Sequence, residues 1–402
     1  MPVDAILTGV RFPDGRLGTL GIMDGRVGSS SDDAETVIDL DGRLLLPAMA
    51  EPHTHLDKAF TADRFPNPSG DLQGAIDVMT AGWPTVDRAD IEARATRAVR
   101  KLLAAGTTAI RTHVDLKPET HLKTVEALLA VREATASLVD LQVTALAGFL
   151  TGPDGYEGLS LLDKAVTMGV DVVGSCPHIE EDPLGTIDHT MRVAVEADLP
   201  ADLHFDEVLD VGVQHLLELA RSVERHGLGG RVTASHCVSH GLLDPKRQRE
   251  IARALASAGV AVVANPRTNL YLQARGIDQS PPRGMVGLAA LFDEGVTVAA
   301  GADNIQDPFY SIGRSDPLET ASLLVSAAHR TVDEAWSLVS DRARTVMGVD
   351  RPGFEEGRVA DFVAIRARSI REAIADQSAD RIVIRGGRVV ARTTVAEWIA
   401  DG

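Results

Sequence analysis

Cysteine is scarce in this chain of 402 residues, where only Cys176 and Cys237 occur. Two thiols are too few for a disulfide scaffold and fit a reducing compartment. No apolar run of about 18 residues is present, so no membrane-spanning helix is expected. The N-terminus lacks a charged segment followed by an apolar one, so no signal peptide is expected either, and the expected location is cytoplasmic. Basic residues are outnumbered, with 40 Lys and Arg against 58 Asp and Glu. The resulting formal charge of −18 opposes a phosphate backbone, which disfavours nucleic acid as a partner. Glycine loops of the Walker or dinucleotide type are missing, so no nucleotide cofactor is implied.

What is present is a set of metal-competent residues at strand ends. The apolar stretch 44–50 closes on Glu51-Pro52-His53-Thr54-His55. Alternate residues of a strand point the same way, so His53 and His55 form half of a metal site. Three later segments share this grammar: 201–207 carries His204 with Glu207 three residues on, 231–237 ends near His236, and 296–304 ends on Asp303 and Asn304.

The spacing of these segments predicts the fold. His204 and His236 stand about one βα unit apart and His236 and Asp303 about two, taking ~30 residues per unit. Between His53 and His204 there is room for four units with one enlarged loop. The ligands then fall on strands one, five, six and eight of a (β/α)8 TIM barrel, whose C-terminal strand ends converge on one mouth. Intermediate strands are predicted at 107–115, 141–148, 171–178 and 260–268, and helices at 90–105 and 122–135. Both chain ends read differently, as short strands broken by Asp14-Gly15, Asp24-Gly25 and Asp41-Gly42. Residues 1–43 and 348–402 are expected to form one small β-sandwich domain beside a barrel spanning 44–347.

The ordered residues 51–57 (EPHTHLD), 111–115 (RTHVD), 204–207 (HFDE), 232–236 (VTASH), 264–266 (ANP), and Asp303 with Asp307-Pro308 resemble the amidohydrolase superfamily, and within it the bacterial cytosine deaminase group. The resemblance covers essentially the whole chain. It implies that His53, His55, His204 and Asp303 bind one divalent metal ion, that Glu207 shuttles protons, and that His236 assists at the metal-bound water. Homo-oligomerisation is a further implication of the resemblance alone. Three imidazoles and a carboxylate suit Zn2+ or Fe2+, with one position left for water. Such water ionises near neutral pH and can attack an amino-bearing ring carbon, while Glu207 supplies protons and Asp303 accepts one from the water.

Departures from the pattern bear on substrate. Cytosine deaminases carry a glutamine after the third strand, where this chain aligns Gly148, and a second acid after the metal-binding aspartate, where Asn304 stands. The runs 53–58 (HTHLDK) and 303–305 (DNI) are also similar to relatives that strip amino groups from hydroxylated triazines. A lysine that would bridge two metals is missing from 171–178, which favours a mononuclear site. Gln73 and Leu72, in the loop after strand one, are candidate pocket residues together with Gly148 and Asn304. His113 is expected in a supporting hydrogen bond, His178 near the mouth, and Trp83 in packing. Asn265 and Asn269 are assigned to loop geometry, and His189, His215, His226, His240 and His329 to structural or exposed positions. Cys237 should pack away from the barrel interior.

The leading expectation is therefore a metal-dependent deaminase of an amino-substituted N-heterocycle, a cytosine-like pyrimidine or related azine, releasing ammonia. An alternative is hydrolysis of an amide or N-alkylamino C–N bond. A third possibility, a non-catalytic relative, is disfavoured because every expected ligand is present.

Overall fold

The computed structural model describes residues 3–28 and 34–400. Eight parallel strands form the central sheet in sequential order. They are β1 (Met49–Thr54), β2 (Thr107–Leu116), β3 (Asp140–Ala147), β4 (Val172–Ser175), β5 (Ala201–Phe205), β6 (Val232–His236), β7 (Val260–Ala264) and β8 (Val298–Ala300). Helices such as Arg88–Ala104 and Lys123–Thr135 connect them, within one or two residues of the helices expected from the sequence. Parallel strands with helical crossovers bury both faces of the sheet, and β2 is buried at every position. The chain is thus a (β/α)8 barrel of the expected kind. Among the described residues no helix is long and apolar enough to cross a membrane.

Closure comes from the backbone at the mouth. Thr54 and Asp303 form an isolated parallel bridge. Asp303 N donates to the His53 carbonyl at 2.8 Å, and His55 N donates to the Asp303 carbonyl at 3.2 Å. Inside the sheet Ala50, Ala109, Val263 and Ala299 pack with Ala343 and Met347. Small inward side chains are what let eight strands close around a filled interior.

The chain ends build a second, eight-stranded sheet. Strands Val3–Arg11, Leu17–Met23, Arg26–Gly28, Ala34–Asp39 and Leu44–Pro47 join Phe362–Ile365, Arg381–Arg385 and Arg388–Thr393. The expected sandwich is realised as one continuous sheet over its own core, which includes Leu7, Ile22, Leu45, Phe362 and Ile384. Asp24 (φ 51°) and Gly25 (φ 70°) make the two-residue turn anticipated from the Asp-Gly pair, both in the left-handed region such hairpins require.

Three boundaries differ from those the sequence pattern predicts. The apolar run 44–50 divides, with Leu44–Pro47 pairing antiparallel to Phe362–Ile365 while β1 begins at Met49. Both halves are buried, so hydrophobicity carries no mark of the division. The run 260–268 stops at Ala264, because Pro266, lacking an N–H, opens the helix Pro266–Leu272. Likewise 171–178 stops at Ser175, and Pro177–Ile179 forms a 3-10 turn.

Candidate active site

The mouth of the barrel collects His53 from β1 and His55 just beyond it, His204 from β5, His236 from the end of β6, and Asp303 just beyond β8. The nitrogens of His53, His55 and His204 lie within 4.8 Å of one another, as do the donor atoms of His53, His236 and Asp303. All five residues are buried. His236 (φ 71°) and Asp303 (φ 64°) both adopt the left-handed conformation that non-glycine residues seldom occupy. At each position the backbone leaves the strand line as the side chain turns to the mouth.

Several atoms of this cluster lack partners. His53 Nε2 and both carboxylate oxygens of Asp303 are buried without a hydrogen bond. His55 Nε2 and His204 Nε2 face each other at 3.1 Å, and His55 Nε2 stands 3.3 Å from Asp303 Oδ1. Orphaned polar atoms are costly in a protein interior, and a divalent cation among them would satisfy them together. The tautomer of His53 agrees with such a use. Ser235 Oγ donates to Asp202 Oδ1 at 2.9 Å and accepts from His53 Nδ1 at 2.9 Å, which leaves the Nε2 lone pair facing the cluster. Asp202 is paired in turn with Arg111 at 2.9 Å. Burial, reinforced by neighbouring imidazoles, pushes His53 and His204 well below the ordinary histidine range, so both are neutral, the form that ligates.

Glu207 stands at the edge of this group, its Oε1 3.1 Å from His236 Nδ1. Burial alone would lower the affinity of His236 for a proton. The charges of Glu207 and Asp303 outweigh it and hold His236 up at about 9. Asn269 Nδ2 donates to Glu207 Oε1 at 3.0 Å and lies 3.2 Å from His236 Nδ1, while Asn265 Nδ2 lies 3.2 Å from His236 Nε2. On the far side Lys58 Nζ reaches His55 Nδ1 at 3.0 Å and Asp115 Oδ1 at 2.9 Å. Burial opposes a charge on Lys58, but Asp115 and Asp57 overcome it and keep the ammonium protonated.

A cleft opens over the cluster, with Leu72, Ile76, Leu146 and Phe309 as apolar walls and Gly148 and Asn304 also in its lining. The structure thus brings Leu72, Gly148 and Asn304 to the cavity. It does not bring Gln73, which is exposed and donates to Asp77 Oδ1 at 2.8 Å. The reason is helical: Asp71 caps the helix Leu72–Gly82, and each residue turns about 100° from the last, so Leu72 faces inward and Gln73 outward. Asn304 is held by Thr268 Oγ1, which donates to its Oδ1 at 3.2 Å, and by its own Nδ2 donating to Asp307 Oδ2 at 2.9 Å.

Other expectations meet mixed outcomes. His113 makes no hydrogen bond; its Nε2 comes only within 3.5 Å of Asp202 Oδ1, and its ring lies 4.0 Å from that of His53. Trp83 is buried and donates to Asp115 Oδ2 at 3.2 Å, a packing role with one bond. His178 does line the cavity. Cys237 is packed in the core. Asn265 and Asn269 are not loop residues at rest, since they sit at the start of the helix after β7 and bracket His236. The chain carries one clue to them, the Asn-Pro pair that places an amide where a strand ends and a helix begins.

Comparison with known proteins follows the same lines. The sequence profile of the amidohydrolase family matches residues 67–391. A pterin deaminase of Rhizobium rhizogenes (strain K84) is 33% identical over 367 residues, spanning 88% of this chain and 82% of the relative. An N-isopropylammelide isopropyl amidohydrolase of Pseudomonas sp. (strain ADP) is 28% identical over 372 residues, spanning 89% and 88%. The crystal structure of a 5-methylcytosine deaminase from Klebsiella pneumoniae, liganded with 5-fluorocytosine, superposes with a TM-score of 0.89 at 29% identity, covering 98% of this chain and 99% of that one.

Proposed function

The chain belongs to the amidohydrolase family, and on that premise we propose that it is a metal-dependent hydrolase that deaminates an amino-substituted N-heterocycle, a cytosine-like pyrimidine or related azine. The observation that carries the reading is the placement of a proton-carrying pair, Glu207 and His236 at 3.1 Å, beside a converging set of unpartnered His and Asp atoms at the floor of an apolar cleft. His53, His55, His204 and Asp303 would hold one divalent ion, zinc or ferrous iron. When bound, the ion supplies the Lewis acidity that makes water a nucleophile near neutral pH.

The chain's own groups do the rest. Glu207, positioned by Asn269, receives a proton from the attacking water and delivers it to the ring nitrogen next to the amino-bearing carbon. The proton remaining on the added oxygen passes to the departing amine, the C–N bond breaks, and ammonia leaves with that oxygen retained on the ring. His236, held protonated beside Glu207 and Asp303, steadies the developing negative charge. Leu72, Gly148 and Asn304 contact the ring from the cleft walls.

A second reading, hydrolysis of an N-alkylamino C–N bond, draws support from the 28% identity with the N-isopropylammelide enzyme. The deciding assay measures ammonia and alkylamine released by the zinc-loaded protein from cytosine, 5-substituted cytosines, isoguanine, creatinine, pterin and amino- or alkylamino-triazines. Ammonia from one ring class supports the deaminase, and alkylamine alone supports the second reading. A metal-loaded protein that releases neither from any ring refutes both.

A further inference from the structure

The cavity that holds the histidine cluster also holds a cation that no carboxylate neutralises at hydrogen-bond distance. Lys117 directly follows β2, and a tight turn pins its backbone. Its N–H donates to Thr120 Oγ1 at 2.9 Å, and its carbonyl accepts from Thr120 N at 3.1 Å and His121 N at 2.8 Å. The lysine stem runs along the cavity wall past Gly148, where a Cβ would meet Lys117 Cγ and Cε at 3.4 Å. A lysine so placed could snorkel to solvent, yet this side chain is only 17% exposed.

The nearest acid, Asp115, is already engaged. Its Oδ1 accepts from Lys58 at 2.9 Å and its Oδ2 from Trp83 Nε1 at 3.2 Å, while Lys117 Nζ stays 3.8 Å away. One carboxylate therefore stands between two lysines, and among the described residues the Lys117 ammonium donates no hydrogen bond. In the same cavity lining His178 has both ring nitrogens buried without a partner. An ammonium with free donors on the cavity wall, in a lining that also carries an unpartnered imidazole, is arranged to receive something from the cavity.

We infer that Lys117 is a specificity-determining residue that holds a negatively charged oxygen on the substrate ring, with His178 offering a second hydrogen bond. The oxygen is either a ring oxyanion or that of a carboxylate substituent. This assignment rests on the proposed function in one respect, that a ring enters this cleft, and goes beyond it in selecting rings that carry an anionic oxygen.

The test is calorimetric titration of the zinc-loaded protein at mildly alkaline pH with uracil, barbiturate and orotate. These are a neutral ring, a ring oxyanion and a ring carboxylate, and none has an amino group to lose. At least one anion should bind about tenfold or more tighter than uracil, and Lys117→Met should weaken that anion by about tenfold while leaving uracil within about twofold. Lys117→Arg should restore most of the preference. Barbiturate responding alone identifies the ring oxyanion, and orotate alone the carboxylate. The inference is overturned if neither anion outbinds uracil, if Lys117→Met weakens all three alike, or if the preference survives without the lysine. Lys117-dependent anion binding in a protein that releases no amine from any ring would sink the proposed reaction and leave this assignment standing.

Discussion

The backbones of His53 and Asp303 are joined at 2.8 Å, from the Asp303 N–H to the His53 carbonyl, while their side chains turn toward the same cluster. The bond that closes the barrel between its first and last strands is therefore also the bond that sets the separation of two candidate ligands. Glu51 reinforces it, accepting from His53 N at 3.2 Å and Ala302 N at 2.9 Å with one carboxylate oxygen. Any change that spreads β1 from β8 should be felt as metal affinity as well as stability.

Gly301 is the position at which this coupling can be tested. A Cβ there would come within 2.9 Å of the His53 carbonyl oxygen and Cβ and 2.8 Å of Asn265 Oδ1. Part of that obstruction is backbone, which has no rotamer to escape into. Gly301→Ala should cost about 1–3 kcal/mol, as overpacked sites do, and also lower zinc bound per chain. The measurements are a denaturant midpoint and metal analysis on one preparation. A variant that loses stability but binds zinc normally would separate closure from the site.

Glu207 and His204, three residues apart, should fail in different ways. Glu207→Gln keeps size and polarity and should leave metal content near that of the parent, while turnover falls about 10²- to 10⁴-fold with the loss of proton transfer. His204→Ala should instead lower metal occupancy. Metal loss in Glu207→Gln would count against its assigned role, and full metal with full activity in His204→Ala would remove that residue from the site.

Asn269 tests the support of the proton carrier. Its Nδ2 donates to Glu207 at 3.0 Å and lies 3.2 Å from His236 Nδ1. Asn269→Ala leaves a buried carboxylate short of a donor, a loss of about 1–3 kcal/mol where the group cannot find water. Turnover should fall about tenfold or more with metal content unchanged and KM little affected. A KM effect without a kcat effect would place Asn269 on the substrate rather than on Glu207.

Residues that follow a strand's alternation are legible in the sequence, and residues placed by helices or turns are not. His53, His55 and His204 lie at strand ends where a period of two fixes direction, so their convergence follows from pattern and spacing. Asp303 sits past its strand with φ 64°, yet its place one chain turn after an apolar run still marks it. Asn269 escapes such a reading because the helix bringing it back to Glu207 begins inside a run that has the composition of a continuing strand. Gln73 is misplaced by it because a one-residue step on a helix moves a side chain off the cavity, and the helix start depends on the Asp71 cap. Lys58 and Lys117 do not stand out because a lysine in sequence carries no sign of facing a cavity.

Asn304→Asp would restore the acid that cytosine deaminases carry at this position, and the structure shows what it must overcome. Asn304 Nδ2 donates to Asp307 Oδ2 at 2.9 Å. Burial has already raised the Asp307 carboxyl to about 6, with the Asn304 hydrogen bond among the influences holding it down. Replacing that donor with a second carboxyl puts two acids at hydrogen-bond distance, and they can coexist only by sharing a proton. The folded pair then keeps a proton that the unfolded chain, with both groups near the ordinary carboxylate value, has released. A folded-state pKa raised above the unfolded one gives stability that is fully present below the unfolded value and lost as pH rises through the folded value, about 1.4 kcal/mol for each unit of separation. The variant should therefore match the parent most closely near the ordinary carboxylate range and fall progressively behind it from there through about 6 and above. Thermal midpoints of the two proteins across that range provide the check, and a deficit that is constant, or larger at the acid end, would mean that the two carboxyls do not meet.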